Sequence, residues 1–110
     1  MVLIDALYIN NGGGKILLDY LVQEIEEKNI NAYYLFDLRC ISDFKFIPSH
    51  RKTYLTANLI TRHQFYKKNL NLFTKVFCFG NLPPSIKTSA KVYTYFHQLL
   101  YLNLPKDMRL

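Results

Sequence analysis

A chain of 110 residues has room for one domain with one core, and folding should bury roughly 65% of the surface its unfolded form exposes. Half of its residues are hydrophobic, including 9 Tyr and 8 Phe, which argues against disorder and for an aromatic-rich interior. No apolar run approaches the ~18 residues of a membrane span and no basic segment precedes the first one as in a signal peptide, so the expectation is a cytoplasmic protein.

The net charge of +6 is unevenly placed. Residues 1–38 hold two basic against six acidic residues, residues 39–68 seven against one, and residues 69–110 five against one. A basic middle segment suits nucleic acid, anionic lipid headgroups or a phosphorylated substrate, and equally a plain solvated surface. Cys40 and Cys78 have neither CxxC spacing nor a histidine pattern beside them, so both read as reduced thiols with no metal site or disulfide framework.

The first element is a nearly continuous apolar run, Val2 to Ile9, broken only by Asp5: the pattern of a strand covered on both faces of a parallel sheet. Asn10, Asn11, Gly12, Gly13, Gly14 and Lys15 follow. Glycine lets backbone approach a ligand closely, and the start of a helix attracts anionic oxygens, so this junction is a candidate phosphate or sugar loop. It is not a Walker P-loop, because Ile16 stands where Ser or Thr is needed, nor a full dinucleotide fingerprint, because Leu17 replaces its third glycine. The rival reading is a turn without a ligand. Lys15 is a candidate phosphate contact or a solvated first-turn lysine.

Leu17, Leu18, Leu21, Val22 and Ile25 recur at helical spacing and predict a helix from Ile16 to about Asn29. Its last turns carry Glu24, Glu26 and Glu27 against the negative end of the dipole, worth ~0.3 kcal/mol or more each when exposed, and only Lys28 offsets them. Aromatic-rich Asn31 to Asp37 predicts a second strand. Asp37 lies at a plausible ribose-binding distance from the glycines. Residues 38–57 read mostly as loop, with a short strand at Lys52 to Leu55. Asn58 to Asn69 predicts a basic amphipathic helix with an Asn cap, and Arg62, Lys67 and Lys68 on it form a candidate basic face.

Lys75 to Phe79 and Lys91 to Phe96 predict two more strands, divided by Gly80, Asn81, Leu82, Pro83 and Pro84, where paired prolines forbid regular structure. A short helix is expected over Gln98 to Leu104. Strands alternating with helices imply an α/β fold, a Rossmann-like, open, mostly parallel sheet of about five strands with flanking helices. Ligands then sit at the carboxyl ends of strands, where Gly12, Asp37, Asn81 and His97 fall. His97 is the candidate acid–base or orienting residue; a satisfied core histidine is its rival. No spacing links it to His50 or His63 as a metal site or a triad. The tyrosines, Tyr33, Tyr34, Tyr54, Tyr66, Tyr93, Tyr95 and Tyr101, suit core packing better than base stacking, and no nucleic-acid-binding signature accompanies the charge.

The opening strand, Asn10 to Lys15 before a helix, Val76 to Pro84 and Val92 to Gln98 together resemble the amino-terminal half-domain of bacterial group 1 glycosyltransferases of the GT-B type. The resemblance implies one Rossmann-like domain over residues 1–110 that handles a polysaccharide or lipid-linked acceptor. The nucleotide-sugar donor is a substrate, and no cofactor or metal is implied. By the same resemblance Asn11, Gly12, Gly13, Gly14, Lys15 and Asn81 lie near phosphate or substrate, and His97 faces the cleft as the catalytic residue. The paired-glutamate motif and carboxyl-terminal domain of that family are missing, which implies a truncated enzyme or a subunit needing a partner. The basic middle segment would then meet anionic lipid at the inner face of the membrane. The alternative from another class is a non-catalytic α/β binding module with a basic face for nucleic acid or a protein.

Overall fold

The computed structural model describes residues 1–80 and 82–94. Five strands, β1 (Val2–Ala6), β2 (Ala32–Asp37), β3 (Lys52–Leu55), β4 (Lys75–Cys78) and β5 (Lys91–Thr94), pair in parallel in the order β3-β2-β1-β4-β5. Two helices, α1 (Gly12–Glu27) and α2 (Leu59–Asn69), complete a Rossmann-like α/β fold. β1 is the central strand, and its four inner residues are buried because helices cover both faces of the sheet.

The alternation of side chains across a strand decides which helix each residue meets. Ile4 and Ala6 of β1 share one core with Leu18, Leu21, Val22 and Ile25 of α1, and with Tyr34, Phe36, Phe77 and Phe79. Leu3 and Leu7 share the other with Phe65, Tyr66 and Leu70 near α2, and with Leu35, Val76 and Cys78. α1 and α2 therefore lie on opposite faces of the sheet.

Three local findings refine the expectations. α1 begins four residues earlier than its apolar stripe predicts, because Gly12–Gly14 form its first turn. It ends as a Schellman motif, with Asn29 at a φ of 55° and the Ile30 N–H returning to Ile25 O at 3.1 Å. Residues 38–51, read as loop, contain two 3-10 turns, Leu38–Cys40 and Ser49–Arg51. Lys52 Nζ holds this segment by donating to Phe44 O at 2.9 Å, and the Tyr54 hydroxyl by donating to Asp43 O. The Gln98 to Leu104 helix expectation lies outside the described residues.

The glutamates at the end of α1 are less isolated than the helix alone suggests. Arg51 grips Glu26 with two bonds of 2.9 and 2.6 Å, and the Tyr34 hydroxyl donates to the same carboxylate at 2.7 Å. Bonding to Arg51 outweighs desolvation and holds the Glu26 carboxyl below its ordinary range. Lys28 lies 3.3 Å from Glu24.

Candidate functional site

In this strand order the chain reverses direction of growth at β1, since β2 and β3 lie on one side and β4 and β5 on the other. The crevice outside the carboxyl ends of β1 and β4 is where such sheets bind ligands. Leu7 and Tyr8 after β1 and Gly80 and Leu82 after β4 meet there, over Asp5 and Arg62. Gly80 packs closely there: a Cβ would come 3.3 Å from Leu7 O, tighter than an ordinary contact.

Tyr8, in the turn leaving β1, is left-handed at a φ of 81°, and its N–H faces the Asp37 carboxylate. Asp37 accepts from Arg39 N, Nε and Nη2 at 3.0, 2.9 and 2.6 Å. Bonding to the Arg39 side chain holds the acid below its usual range despite burial. Asp37, expected near a ribose, is engaged by Arg39 and lines a separate hollow with Leu38, Thr56 and Ala57.

The glycine turn itself is open. Gly12 is left-handed at a φ of 69°, and neither it nor Gly13 has any atom within 4 Å of where a Cβ would stand; Gly14 is buried. Asn11 occupies the N-cap position, yet its side chain makes no capping bond, and only its carbonyl is used, accepting from Lys15 N at 3.4 Å. Asn58, in the same position on α2, does cap, accepting from Thr61 N at 2.9 Å. Among the described residues no acceptor reaches the N–H groups of Gly12, Gly13 or Gly14. An anion placed there would meet free donors at the positive end of a 16-residue helix.

Lys15 turns aside from this opening. Its ammonium lies 2.7 Å from Asp19 and 3.4 Å from Asp43, and 4.9 Å from the centre of the Phe44 ring. Desolvation lowers its pKa, but the bond and charge of Asp19 and the charge of Asp43 outweigh that and raise it. The ammonium helps line a shallow hollow of about 450 Å³ with Asp19, Gln23, Asp43, Phe44 and Phe46. Lys15 thus meets carboxylates, while Asn11, Gly12 and Gly13 are exposed. Asn81 and His97 lie outside the described residues.

One expectation is overturned by geometry. Arg62, placed with Lys67 and Lys68 on a basic outer face, is buried: it shares an inward stripe with Phe65 and Tyr66. Its Nε donates to Asp5 Oδ2 at 2.9 Å, and its Nη1 and Nη2 to the carbonyls of Pro83 and Leu82 at 2.9 and 2.6 Å. The signal was present in the sequence, since an Asp inside an apolar strand must find a buried partner. His63 pairs with Ser85 Oγ at 2.8 Å on the surface, and His50 is exposed. Among the described residues no group of three or more His, Cys, Asp or Glu is placed to hold a metal ion, and no helix is long and apolar enough to cross a membrane.

Site and sheet together define a Rossmann-like α/β domain whose first helix, after the central strand, begins in a glycine turn with no side-chain cap. Comparison with protein-family models, with curated proteins and with solved structures finds no match for this chain.

Proposed function

We propose that this chain is the acceptor-side domain of a glycosyltransferase that moves a sugar from a nucleotide-sugar donor to a polysaccharide or lipid-linked acceptor. Turnover requires a carboxyl-terminal domain or a partner subunit. The observation that supports the reading is the uncapped first turn of α1, where three glycine N–H groups and the Asn11 side chain have no hydrogen-bond partner among the described residues. Donors of that kind stabilise the negative charge that builds on a diphosphate as its bond to the sugar breaks. In this reading Asn81 lines the same crevice and His97 serves the acceptor hydroxyl as base or orienting group.

The test is a titration of the isotope-labelled chain, followed amide by amide in two-dimensional NMR, with a nucleoside diphosphate and then a nucleotide sugar. Saturable shifts confined to Gly12, Gly13, Gly14 and their neighbours are expected. Movement of none of the three glycines at millimolar ligand overturns the assignment, as does an equal response to chloride.

A further inference from the structure

The two helices differ in charge as sharply as in position. α1 carries one lysine against four acids, Asp19, Glu24, Glu26 and Glu27, whereas no acidic residue occurs anywhere between Phe44 and Lys106, so α2 is wholly free of acids. Because α1 and α2 lie on opposite faces of the sheet, the molecule has an acidic face and a basic one.

Each face also leaves large apolar side chains in solvent, in a matching order. On α1, Ile16 and Tyr20 are 70% and 64% exposed, and Glu24 and Glu27 continue the same stripe toward the carboxyl end. On α2, Leu59 and Ile60 are 65% and 72% exposed, followed on the Leu59 side by His63 and Lys67, with Lys68 below Ile60. Eight residues separate Ile16 from Glu24, and eight separate Leu59 from Lys67 and Ile60 from Lys68. At 1.5 Å per residue, the apolar and charged groups are about 12 Å apart on both helices. Two such helices laid parallel would set apolar pair on apolar pair and carboxylates on ammonium groups.

The charges are only partly engaged within the chain. Glu24 and Glu27 stand at the negative end of α1, where a cation is favoured. Lys28 is the cation paired with Glu24, and among the described residues Glu27 meets the neutral Gln23 amide, 3.1 Å away, and no cation. Lys67 and Lys68 are exposed and have no carboxylate within ion-pair distance among the described residues.

We propose that the chain associates with itself head to tail, the α1 face of one copy seating on the α2 face of the next. The contact is heterologous, so each copy keeps one open face and assembly continues beyond a dimer unless the rotation closes a ring. Apolar burial supplies attraction, and the opposed charges set the register and the parallel direction of the helices. This inference is independent of the anion-receptive turn.

Sedimentation equilibrium of the full 110-residue chain tests it. Expected is a concentration-dependent rise in mass that weakens by about tenfold or more in association constant between ~0.05 M and ~1 M salt, where the screening length shrinks to about 3 Å. Lys67→Glu with Lys68→Glu should be monomeric, as should Glu24→Lys with Glu27→Lys. Mixed in equal amounts, the two double variants should regain concentration-dependent assembly as alternating copies, because the retained faces fit each other and so do the two reversed ones. A wild-type chain that is monomeric throughout, or a mixture that stays monomeric, overturns the proposal. So does a monomer whose Lys67 and Lys68 bind anionic vesicles or single-stranded nucleic acid, since that assigns the basic face to another occupant.

Discussion

Arg62 of α2 and Asp5 of β1, 57 positions apart in sequence, meet in the interior with Nε 2.9 Å from Oδ2. The Tyr66 hydroxyl donates to the same oxygen, and Leu7 N donates to Oδ1 at 3.1 Å. Burial pushes the Asp5 carboxyl up, opposed by the Arg62 charge and these bonds. The pair joins the central strand to the helix on one face, and through Leu82 O and Pro83 O it fixes the segment that walls the crevice.

Removing one partner leaves the other charged and buried. Arg62→Leu should lower stability by about 3–5 kcal/mol, a large part of what a domain of this size has. Asp5→Leu with Arg62→Leu removes both charges and should recover much of that loss. Urea unfolding of the three chains decides it; a double variant as unstable as Arg62→Leu would mean that the pair is not the source of the effect.

The acid limb of the stability curve should report the Glu26–Arg51 pair. Glu26 is lowered in the folded state from an ordinary value of 4.5, so its contribution is present above that value and is lost as pH falls through the lower folded pKa. Asp37, held down by Arg39, adds a loss of the same sign. Unfolding midpoints in urea should therefore fall as pH drops below about 4.5, and Arg51→Ala should flatten part of that slope. An unchanged slope in the variant would place the acid sensitivity elsewhere.

Most of the sheet was readable because each strand is a short apolar run bounded by a breaker. Lys52 to Leu55 was legible as an element even though its surroundings were not. The start of α1 is hidden by propensity: glycine is a poor helix former, yet the helix begins at Gly12. Residues 38–51 depend on the long-range bonds from Lys52 and Tyr54 that no local pattern encodes. Arg62 was misplaced because it stands in a basic stretch, although positions 62, 65 and 66 share a helical stripe with apolar neighbours. The glycine turn was visible from composition alone, but the unused cap at Asn11 was not.

Both thiols should be inert in the native state. Cys40 and Cys78 are buried and unpaired with each other. Desolvation and then the Asp5 charge push Cys78 up to about 12, and desolvation raises Cys40 as well. Since the thiolate is the reactive form, an aromatic disulfide reagent at about pH 8 should label neither cysteine until denaturant is added and both afterwards. Fast labelling of Cys78 in the native chain would mean that the wall around Arg62 opens.

Gly12 and Gly13 make opposite predictions that separate fold from function. Gly12 is left-handed at a φ of 69°, so Gly12→Ala should cost about 1 kcal/mol for conformational reasons alone. Gly13 has no such constraint and open space around it. Gly13→Ala in the first helical turn should stabilise the chain by about 0.5–1 kcal/mol, because alanine loses less backbone freedom on folding. The new methyl group would stand where a diphosphate must approach the N–H groups, so the same substitution should weaken the NMR response to a nucleoside diphosphate. A stabilised Gly13→Ala chain with undiminished ligand response would leave the second glycine without a functional reason and would count against the anion-receptive turn.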